Sequence, residues 1–298
     1  MSQFKIAGIQ MACDRSPAEN ISHAMRLVTN AASQGADVVC LPELFATPYF
    51  CQTEDPACFQ LSESFHGSTV SSFLEIAREL GITVIVPFFE RRSAGIYHNS
   101  AAIVTPAPTS PDVYRKMHIP DDPGFYEKFY FTPGDLDFKA FTTPVGKIGV
   151  LICWDQWYPE AARITAMLGA SVLFYPTAIG WDPDEKEDMG VAQHDAWRTV
   201  QRGHAVANGV YVAAINRVGF EPAPNSDGGI EFWGQSFICD PQGVILAEAS
   251  ADQEEIFLAD VDLDHLERLR QMWPFWRDRR IDAYGALQKR WLDESGNS

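Results

Sequence analysis

A nine-residue segment that occurs twice is the strongest constraint on how this chain folds. GADVVCLPE at 35–43 and GASVLFYPT at 169–177 share Gly, Ala, Val and Pro in register. In each copy a glycine precedes a short apolar strand that stops at a proline, and the strands and helices around both copies follow a similar order. We therefore predict an α/β protein of two pseudo-symmetric halves, with helices covering the sheets.

The individual elements follow from hydrophobic periodicity and from residues that begin and end helices. Ser16, Pro17 and Glu19 form a capping box with proline at the first helical position, and Gly35 ends that helix. Pro159 begins a helix in the second half, and Gly81 ends the helix predicted over 71–80. Strands are predicted over 4–11, 37–41, 82–89, 99–104, 147–152, 171–175, 210–216 and 233–239, further helices over 71–80 and 190–207, and a long functional loop over 112–132.

Composition and charge exclude several classes of protein. No apolar run among the 298 residues could span a bilayer, and the N-terminus does not have the pattern of a signal peptide. Six cysteines without a CxxC pair and seven histidines without an HxxxH pair indicate reduced thiols in a cytoplasm and no metal site. The net charge of −17 disfavours nucleic acid and is compatible with a small cationic substrate.

Side chains with reactive or polar groups fall at the carboxyl ends of predicted strands, where α/β sheets place their sites. Cys153 ends a strand just before a helix, whose amides favour a thiolate. On that stretch alone, a buried and unreactive cysteine is the better explanation. Glu43 follows its strand in a position suited to a general base, and Thr177 occupies the matching place in the second half. Lys116 lies where strand character ends, and by itself it is better explained as an ordinary surface lysine.

Three segments change this assessment because together they resemble a known family. PELF at 42–45, YRKMHIPDD at 114–122 and GVLICWDQWYPE at 149–160 resemble, in order and spacing, the signature segments of the nitrilase superfamily of carbon–nitrogen hydrolases. The resemblance extends from GIQM at 8–11 to RDRR at 277–280. It implies one domain over 1–298 with a four-layer α-β-β-α sandwich, the nitrilase fold, and no cofactor.

The resemblance also implies roles for individual residues. Cys153 would be the nucleophile, Glu43 the general base and Lys116 the group that stabilises the oxyanion, with the backbone N–H of Trp154 as second donor. Glu127 matches a second glutamate of the superfamily that positions the lysine or the substrate. The expected substrate-binding residues, named from their places in the motifs, are Trp154, Asp155, Thr177 and Tyr126.

The expected substrate is a carbamoyl amine that carries a positive charge. HIPDDPGFYEKFYFTPGD, CWDQWYPEAAR and DGGIEFWGQSFICDPQG are similar to the branch of the superfamily that hydrolyses N-carbamoylputrescine in polyamine synthesis. Loop carboxylates near the motifs could meet a distal ammonium: Asp121, Asp122, Asp155, Asp182 and Glu185. Alternatives are an N-carbamoyl amino acid hydrolase such as a β-ureidopropionase, for which Arg115 or Lys128 would bind a carboxylate, an ω-amidase, and a non-catalytic binding protein on this fold.

The tail at 264–298 begins with a short helical pattern and then alternates aromatic residues with arginines. This composition is poor for disorder and typical of protein–protein contacts. We therefore predict that the tail packs against a neighbouring subunit of a homo-oligomer. Packing against its own subunit is the alternative.

Overall fold

The protein, as a computed structural model, is described over residues 2–107, 110–183, 185–224 and 228–292. The α-helices in these ranges are α1 (Pro17–Ser33), α2 (Ser68–Leu80), α3 (Glu127–Tyr130), α4 (Pro159–Met167), α5 (Lys186–Asn208) and α6 (Leu263–Met272). The strands are β1 (Gln3–Gln10), β2 (Val38–Cys40), β3 (Thr83–Ser93), β4 (Ile96–Val104), β5 (Asp112–Arg115), β6 (Ala140–Thr143), β7 (Gly146–Val150), β8 (Val172–Pro176), β9 (Gly180–Trp181), β10 (Tyr211–Ile215), β11 (Val218–Pro222), β12 (Gly229–Trp233), β13 (Phe237–Cys239), β14 (Ile245–Glu248) and β15 (Glu255–Asp262).

Two mixed six-stranded sheets form the centre of the protein. Their strand orders are β15-β1-β2-β3-β4-β5 and β14-β13-β10-β8-β7-β6. In the first sheet β1, β2 and β3 are parallel, with antiparallel pairs on both sides. In the second sheet β7, β8 and β10 are parallel and are flanked in the same way. Each sheet thus has three parallel central strands, one antiparallel strand on one side and two on the other.

This shared pattern confirms the predicted internal repeat. The repeated segments supply β2 and β8, which are the middle strands of the parallel triplets in the two sheets. The helices after β1 and β7 are α1 and α4, and those before β3 and β10 are α2 and α5. The two halves are therefore related strand by strand and helix by helix.

Alternation along the strands separates the layers. In the first half Val39 and Leu41 belong to a core that packs on α1 and α2, whereas Val38 and Cys40 face the other way. That inner core continues into Val172 of the second sheet and reaches α4 and α5. Because successive strand residues point to opposite faces, one apolar strand serves both layers. The four-layer α-β-β-α arrangement is thereby confirmed.

The helix ends form as their residues predict. The backbone N–H of Ser16 donates to the carboxylate of Glu19, as in a capping box. Gly81 ends α2 with φ of 70°, a left-handed conformation that glycine adopts without a Cβ clash. Pro159 is the first residue of α4, where its missing N–H costs no hydrogen bond.

Several predicted boundaries were wrong. The segment 112–132 is not a continuous loop, because its start is β5 and its end contains α3. The strand predicted over 233–239 is two strands in different sheets, since β12 belongs to a three-stranded sheet with β9 and β11. The helix predicted over 190–207 begins one turn earlier at Lys186. These errors arise where pairing with a distant strand, and not the local pattern, determines the structure.

The described part of the tail runs back over its own chain. Trp276 donates its indole N–H to the carbonyl of Asn208 at 3.1 Å, and the guanidinium of Arg163 lies over its ring. Large apolar side chains remain exposed beyond it, among them Ile281 and Trp291. Contact with the same subunit therefore exists, while the predicted contact with another subunit stays a prediction. Residues 293–298 lie outside the described ranges.

No helix among the described residues is both long enough and apolar enough to cross a membrane. All six cysteines fall within those residues, and each is a free thiol.

Candidate active site

Cys153 occupies a strained turn at the end of a buried strand. It follows β7 and begins a short 3₁₀ helix, Cys153–Trp157, with φ of 41°. A non-glycine residue in this left-handed region costs on the order of 1–3 kcal/mol, and such strain persists where the surrounding structure fixes it. The sulfur lies at the edge of a cavity, and the residue is 4% exposed. The turn therefore presents the thiol to a pocket and keeps it away from bulk solvent.

The surroundings of Cys153 keep its thiol protonated at rest. Burial raises its pKa well above the ordinary value, the negative charge of Glu43 raises it further, and the ammonium of Lys116 opposes both. The helix that directly follows Cys153 is one short 3₁₀ turn, and burial acts against the expected stabilisation of a thiolate by helix amides. Nucleophilic attack thus requires a base to remove the proton.

Glu43 has one engaged and one unengaged carboxylate oxygen. It follows β2 and is completely buried. Its Oε1 accepts from the ammonium of Lys116 at 2.8 Å and from the amide of Asn99 at 2.7 Å. Its Oε2 has no hydrogen-bond partner among the described residues. A buried carboxylate oxygen without a partner is costly and is available to take a proton.

Lys116 lies between two carboxylates. Its Nζ donates to Glu43 at 2.8 Å and to Oε2 of Glu127 at 2.7 Å, and all three side chains are buried. Burial alone would lower the pKa of Lys116, but the charges of Glu127 and Glu43 outweigh it and raise the pKa. Burial raises the pKa of Glu127, and Lys116 opposes this shift. The lysine therefore remains a fixed positive charge in a dry site.

Two residues of this cluster were not predicted from the sequence. The hydroxyl of Tyr49 donates to Oε1 of Glu127 at 2.7 Å, and Asn99 contacts both Glu43 and Glu127 through its amide nitrogen. Tyr49 is carried by a loop after β2, and Asn99 lies within β4. Nothing in their local sequence marks them, because their roles depend on which strands become neighbours.

A cavity of about 490 Å³ leads to Cys153, within the usual size range for small-molecule sites. Its lining includes both aromatic and acidic side chains. The lining residues named for their chemistry are Phe125, Trp154, Trp157, Trp233, Asp122, Asp182 and Glu185. The described residues that line it include no lysine or arginine.

The predicted substrate-binding residues fall in different places. Trp154 lines the cavity. Tyr126 and Thr177 do not line it, although Tyr126 lies beside Phe125, which does. The hydroxyl of Thr177 is buried and donates to the carbonyl of Tyr175 at 2.9 Å.

Asp155 takes a supporting position where substrate contact was predicted. It is completely buried, and its oxygens accept from the hydroxyl of Tyr114 at 2.8 Å and from the backbone N–H groups of Ile152 and His118 at 2.9 and 3.0 Å. Its carboxylate thereby ties the turn of Cys153 to the segment that carries Lys116.

The described residues contain no group of three His, Cys, Asp or Glu side chains arranged to hold a metal ion. The site offers a thiol that borders the cavity and, close enough for their charges to act on it, a buried carboxylate and a buried ammonium. These parts can add sulfur to a carbonyl-type carbon, move its proton and stabilise the oxyanion. Fold and site together are those of an α-β-β-α protein with a candidate nucleophilic cysteine.

Comparison with known proteins gives the family. Residues 5–271 match the carbon-nitrogen hydrolase family. The chain belongs to that family, the nitrilase superfamily, and is a carbon–nitrogen hydrolase.

Relatives with assigned activities cover nearly the whole chain. It is 44% identical over 285 residues to an N-carbamoylputrescine amidase of Arabidopsis thaliana, covering 95% of this chain and 94% of the relative. It is 37% identical over 292 residues to a citrullinase of Francisella tularensis, covering 98% and 100%. A crystal structure of a carbon–nitrogen hydrolase from Helicobacter pylori G27 is 46% identical, covers 97% of this chain and 100% of its own, and superposes with a TM-score of 0.93.

Proposed function

We propose that the protein hydrolyses N-carbamoylputrescine to putrescine, carbon dioxide and ammonia. The observation that carries the proposal is the cavity beside Cys153, whose lining includes Asp122, Asp182 and Glu185 and whose described lining contains no basic side chain. A ureido group at the thiol would place the distal ammonium of an extended substrate among carboxylates. The aromatic walls suit the four methylene groups between them.

The first chemical step uses the unengaged oxygen of Glu43. Its Oε2 accepts the thiol proton as the sulfur of Cys153 attacks the ureido carbon and forms the S–C bond. The oxyanion is held by the ammonium of Lys116 and the backbone N–H of Trp154. Glu43 then protonates one nitrogen, the C–N bond breaks, and an amine or ammonia leaves.

The second step regenerates the thiol. Glu43 removes a proton from water, whose oxygen attacks the thiocarbamate carbon on Cys153. The S–C bond breaks, sulfur regains its proton, and the released carbamate decomposes to carbon dioxide and the second nitrogen product. The order in which ammonia and putrescine leave is a separate question that product bursts would answer. Glu127 acts in both steps by holding Lys116.

Substrates with a distal carboxylate fit the cavity poorly. Binding N-carbamoyl-β-alanine or a dicarboxylate monoamide requires a cation, and the sequence offered Arg115 and Lys128. The guanidinium of Arg115 is occupied by Glu90 and Asp135 at 2.6–2.9 Å. Lys128 lines a separate surface depression and not the cavity of Cys153.

Citrulline is the second candidate because it joins a ureido group to a distal ammonium, and one relative is a citrullinase. It also carries a carboxylate at that end, which the acidic side chains of the cavity would repel. The decisive difference between the candidates is therefore the charge at the far end of a common ureido chain.

One panel of substrates tests the proposal. Initial rates of ammonia release are compared for N-carbamoylputrescine, citrulline, N-carbamoyl-β-alanine, a dicarboxylate monoamide and N-pentylurea, which replaces the ammonium with a methyl group. We expect kcat/KM to be highest for N-carbamoylputrescine and at least about 100-fold lower for N-pentylurea, a difference of about 2.7 kcal/mol. Equal rates for these two would refute cation recognition, and a higher value for citrulline would transfer the proposal to that substrate.

Cys153→Ala is the control for the chemical mechanism. It removes one buried sulfur and should abolish turnover while leaving the melting temperature within a few degrees of the original protein. A Cys153→Ala protein that turns over substrate at the original rate would rule out the thiol as nucleophile. The absence of ammonia release from every substrate in the panel would favour a non-catalytic role.

A further inference from the structure

Arg217 is a buried charge for which the chemical steps above have no use. It follows β10 in the second half of the chain and is completely buried. Its Nε and Nη2 donate to the backbone carbonyl of Glu43 at 3.1 and 3.0 Å, and Nη2 also donates to the carbonyl of Leu44 at 2.7 Å. The guanidinium of Arg217, in one half, thus donates hydrogen bonds to the backbone that bears the proposed general base in the other half.

The Glu43–Leu44 backbone has a strained conformation that contacts with the rest of the protein must stabilise. Leu44 has φ of 50°, which a side chain with a Cβ adopts only at a cost. Leu44 directly follows Glu43, whose side chain accepts from Lys116 at 2.8 Å. Two carbonyls that accept from one rigid planar cation cannot move independently.

The same guanidinium is connected to the second glutamate of the site. Nη1 of Arg217 pairs with Oε1 of Glu221 at 2.8 Å, and Oε2 of Glu221 accepts from the backbone N–H of Tyr49 at 2.5 Å. The hydroxyl of Tyr49 in turn donates to Glu127 at 2.7 Å. Arg217 therefore lies behind both carboxylates that contact Lys116.

The preceding residue holds the opposite side of the site. The amide of Asn216 donates to the carbonyl of Ile179 at 2.9 Å and accepts from its N–H at 3.0 Å. The adjacent Ala178 lines the same cavity as Cys153. Two consecutive residues thus fix the base-bearing segment and a segment beside the nucleophile.

We infer that Arg217 is a positioning residue that sets the alignment of Glu43 with Cys153 across the two halves of the fold. It touches neither substrate nor reacting atoms, and it acts through the Glu43–Leu44 backbone and through Glu221. The inference rests on the proposed role of Glu43 as base but not on the identity of the substrate.

Arg217→Lys tests the inference because it keeps the charge and loses the fork that spans both carbonyls. A shift of the base by about 1 Å costs on the order of 100-fold in rate. We expect kcat to fall by about 10- to 100-fold on the best substrate of the panel, with KM changed by less than about threefold. The matched control is Arg270→Lys on α6, which alters a contact of the same kind to the carbonyl of Gly209, away from the site.

A second measurement does not need the natural substrate. Alkylation of Cys153 by iodoacetamide, followed by peptide mass spectrometry, reports removal of the thiol proton by the base. Arg217→Lys should slow it by at least about tenfold, and Arg270→Lys should not. Failure of N-carbamoylputrescine as substrate would leave this result unaffected and would count only against the proposed function.

An Arg217→Lys protein that folds and keeps the alkylation rate and kcat of the original protein would overturn the inference. A rise in KM alone would also overturn it. If this variant gives no soluble protein, Glu221→Gln takes its place, since it removes the counterion of Arg217 and keeps the side-chain size. The same loss of kcat at constant KM is then expected, and unchanged kcat would again refute the role.

Discussion

Lys116 contacts two glutamates, Glu43 and Glu127, for which we propose different roles. Glu127→Gln tests the positioning role of Glu127 and leaves Glu43 in place. Glutamine keeps the shape of Glu127 and can still accept from Lys116 through its oxygen, but it removes the negative charge. A whole hydrogen bond to a charged group contributes about 1.5–3 kcal/mol, which is an upper bound because the bond itself is kept. A loss of up to that size in the transition state lowers kcat by up to about 10- to 150-fold.

The same substitution should lower the pKa of the Cys153 thiol and so favour its alkylation, although it reduces kcat. Glu127 is one of the charges that raise the pKa of Cys153, so its neutralisation lowers that pKa. At a fixed pH near neutrality, a lower pKa gives more thiolate. We therefore expect Glu127→Gln to reduce kcat and yet shift the alkylation profile of Cys153 toward lower pH.

The assay compares steady-state ammonia release with alkylation of Cys153 over a range of pH. Glu248→Gln is the control, because it neutralises a carboxylate that contacts Arg198 at the edge of the second sheet, outside the site. A Glu127→Gln protein with kcat within about twofold of the original would refute the positioning role of Glu127. A fall in kcat with a shift of the alkylation profile toward higher pH would refute the electrostatic reasoning.

Three further predictions follow from burial and exposure. Because burial raises the pKa of Cys153, its alkylation in the substrate-free protein should accelerate continuously from about pH 7 to about pH 9, and a plateau below about pH 8 would contradict this. Asp155→Asn should lower the free energy of unfolding in urea by about 2 kcal/mol or more, because a buried amide leaves one of its donors without an acceptor; an unchanged midpoint would contradict the supporting role. Ile281 and Trp291 are 74% and 79% exposed, so we propose that the tail forms a subunit interface; replacing both with glutamate should reduce the molar mass in light scattering, and an unchanged mass would count against it.

Local sequence was sufficient for elements whose formation depends on their own residues. The capping box at Ser16, the proline start of α4 and the glycine end of α2 formed where predicted, because each satisfies backbone groups within one turn. The repeated segment predicted two similar halves because an identical strand pattern buries itself in the same way twice. The motifs placed Glu43, Lys116 and Cys153 at strand ends, and the tertiary structure brings Lys116 into contact with Glu43 and both charges close to Cys153.

Long-range pairing was not predictable by the same means. β15 pairs along its whole length with β1, although the two strands lie near opposite ends of the chain. β12 and β13 are close in sequence but belong to different sheets. These choices depend on which edges and faces remain uncovered after the rest of the chain has folded. Local periodicity carries no information about them.

The sequence by itself determined the fold class, the internal repeat and the reactive groups. Only the tertiary structure decided how those groups are held: Tyr49 behind Glu127, Asn99 against Glu43, and Arg217 across the halves. It also turned Asp155 from a predicted substrate contact into a buried support for the turn of Cys153. The physical reason is that the chemical type of a side chain is given by its own position in the sequence. Its hydrogen-bond partners depend on the packing of segments that lie far apart in the chain.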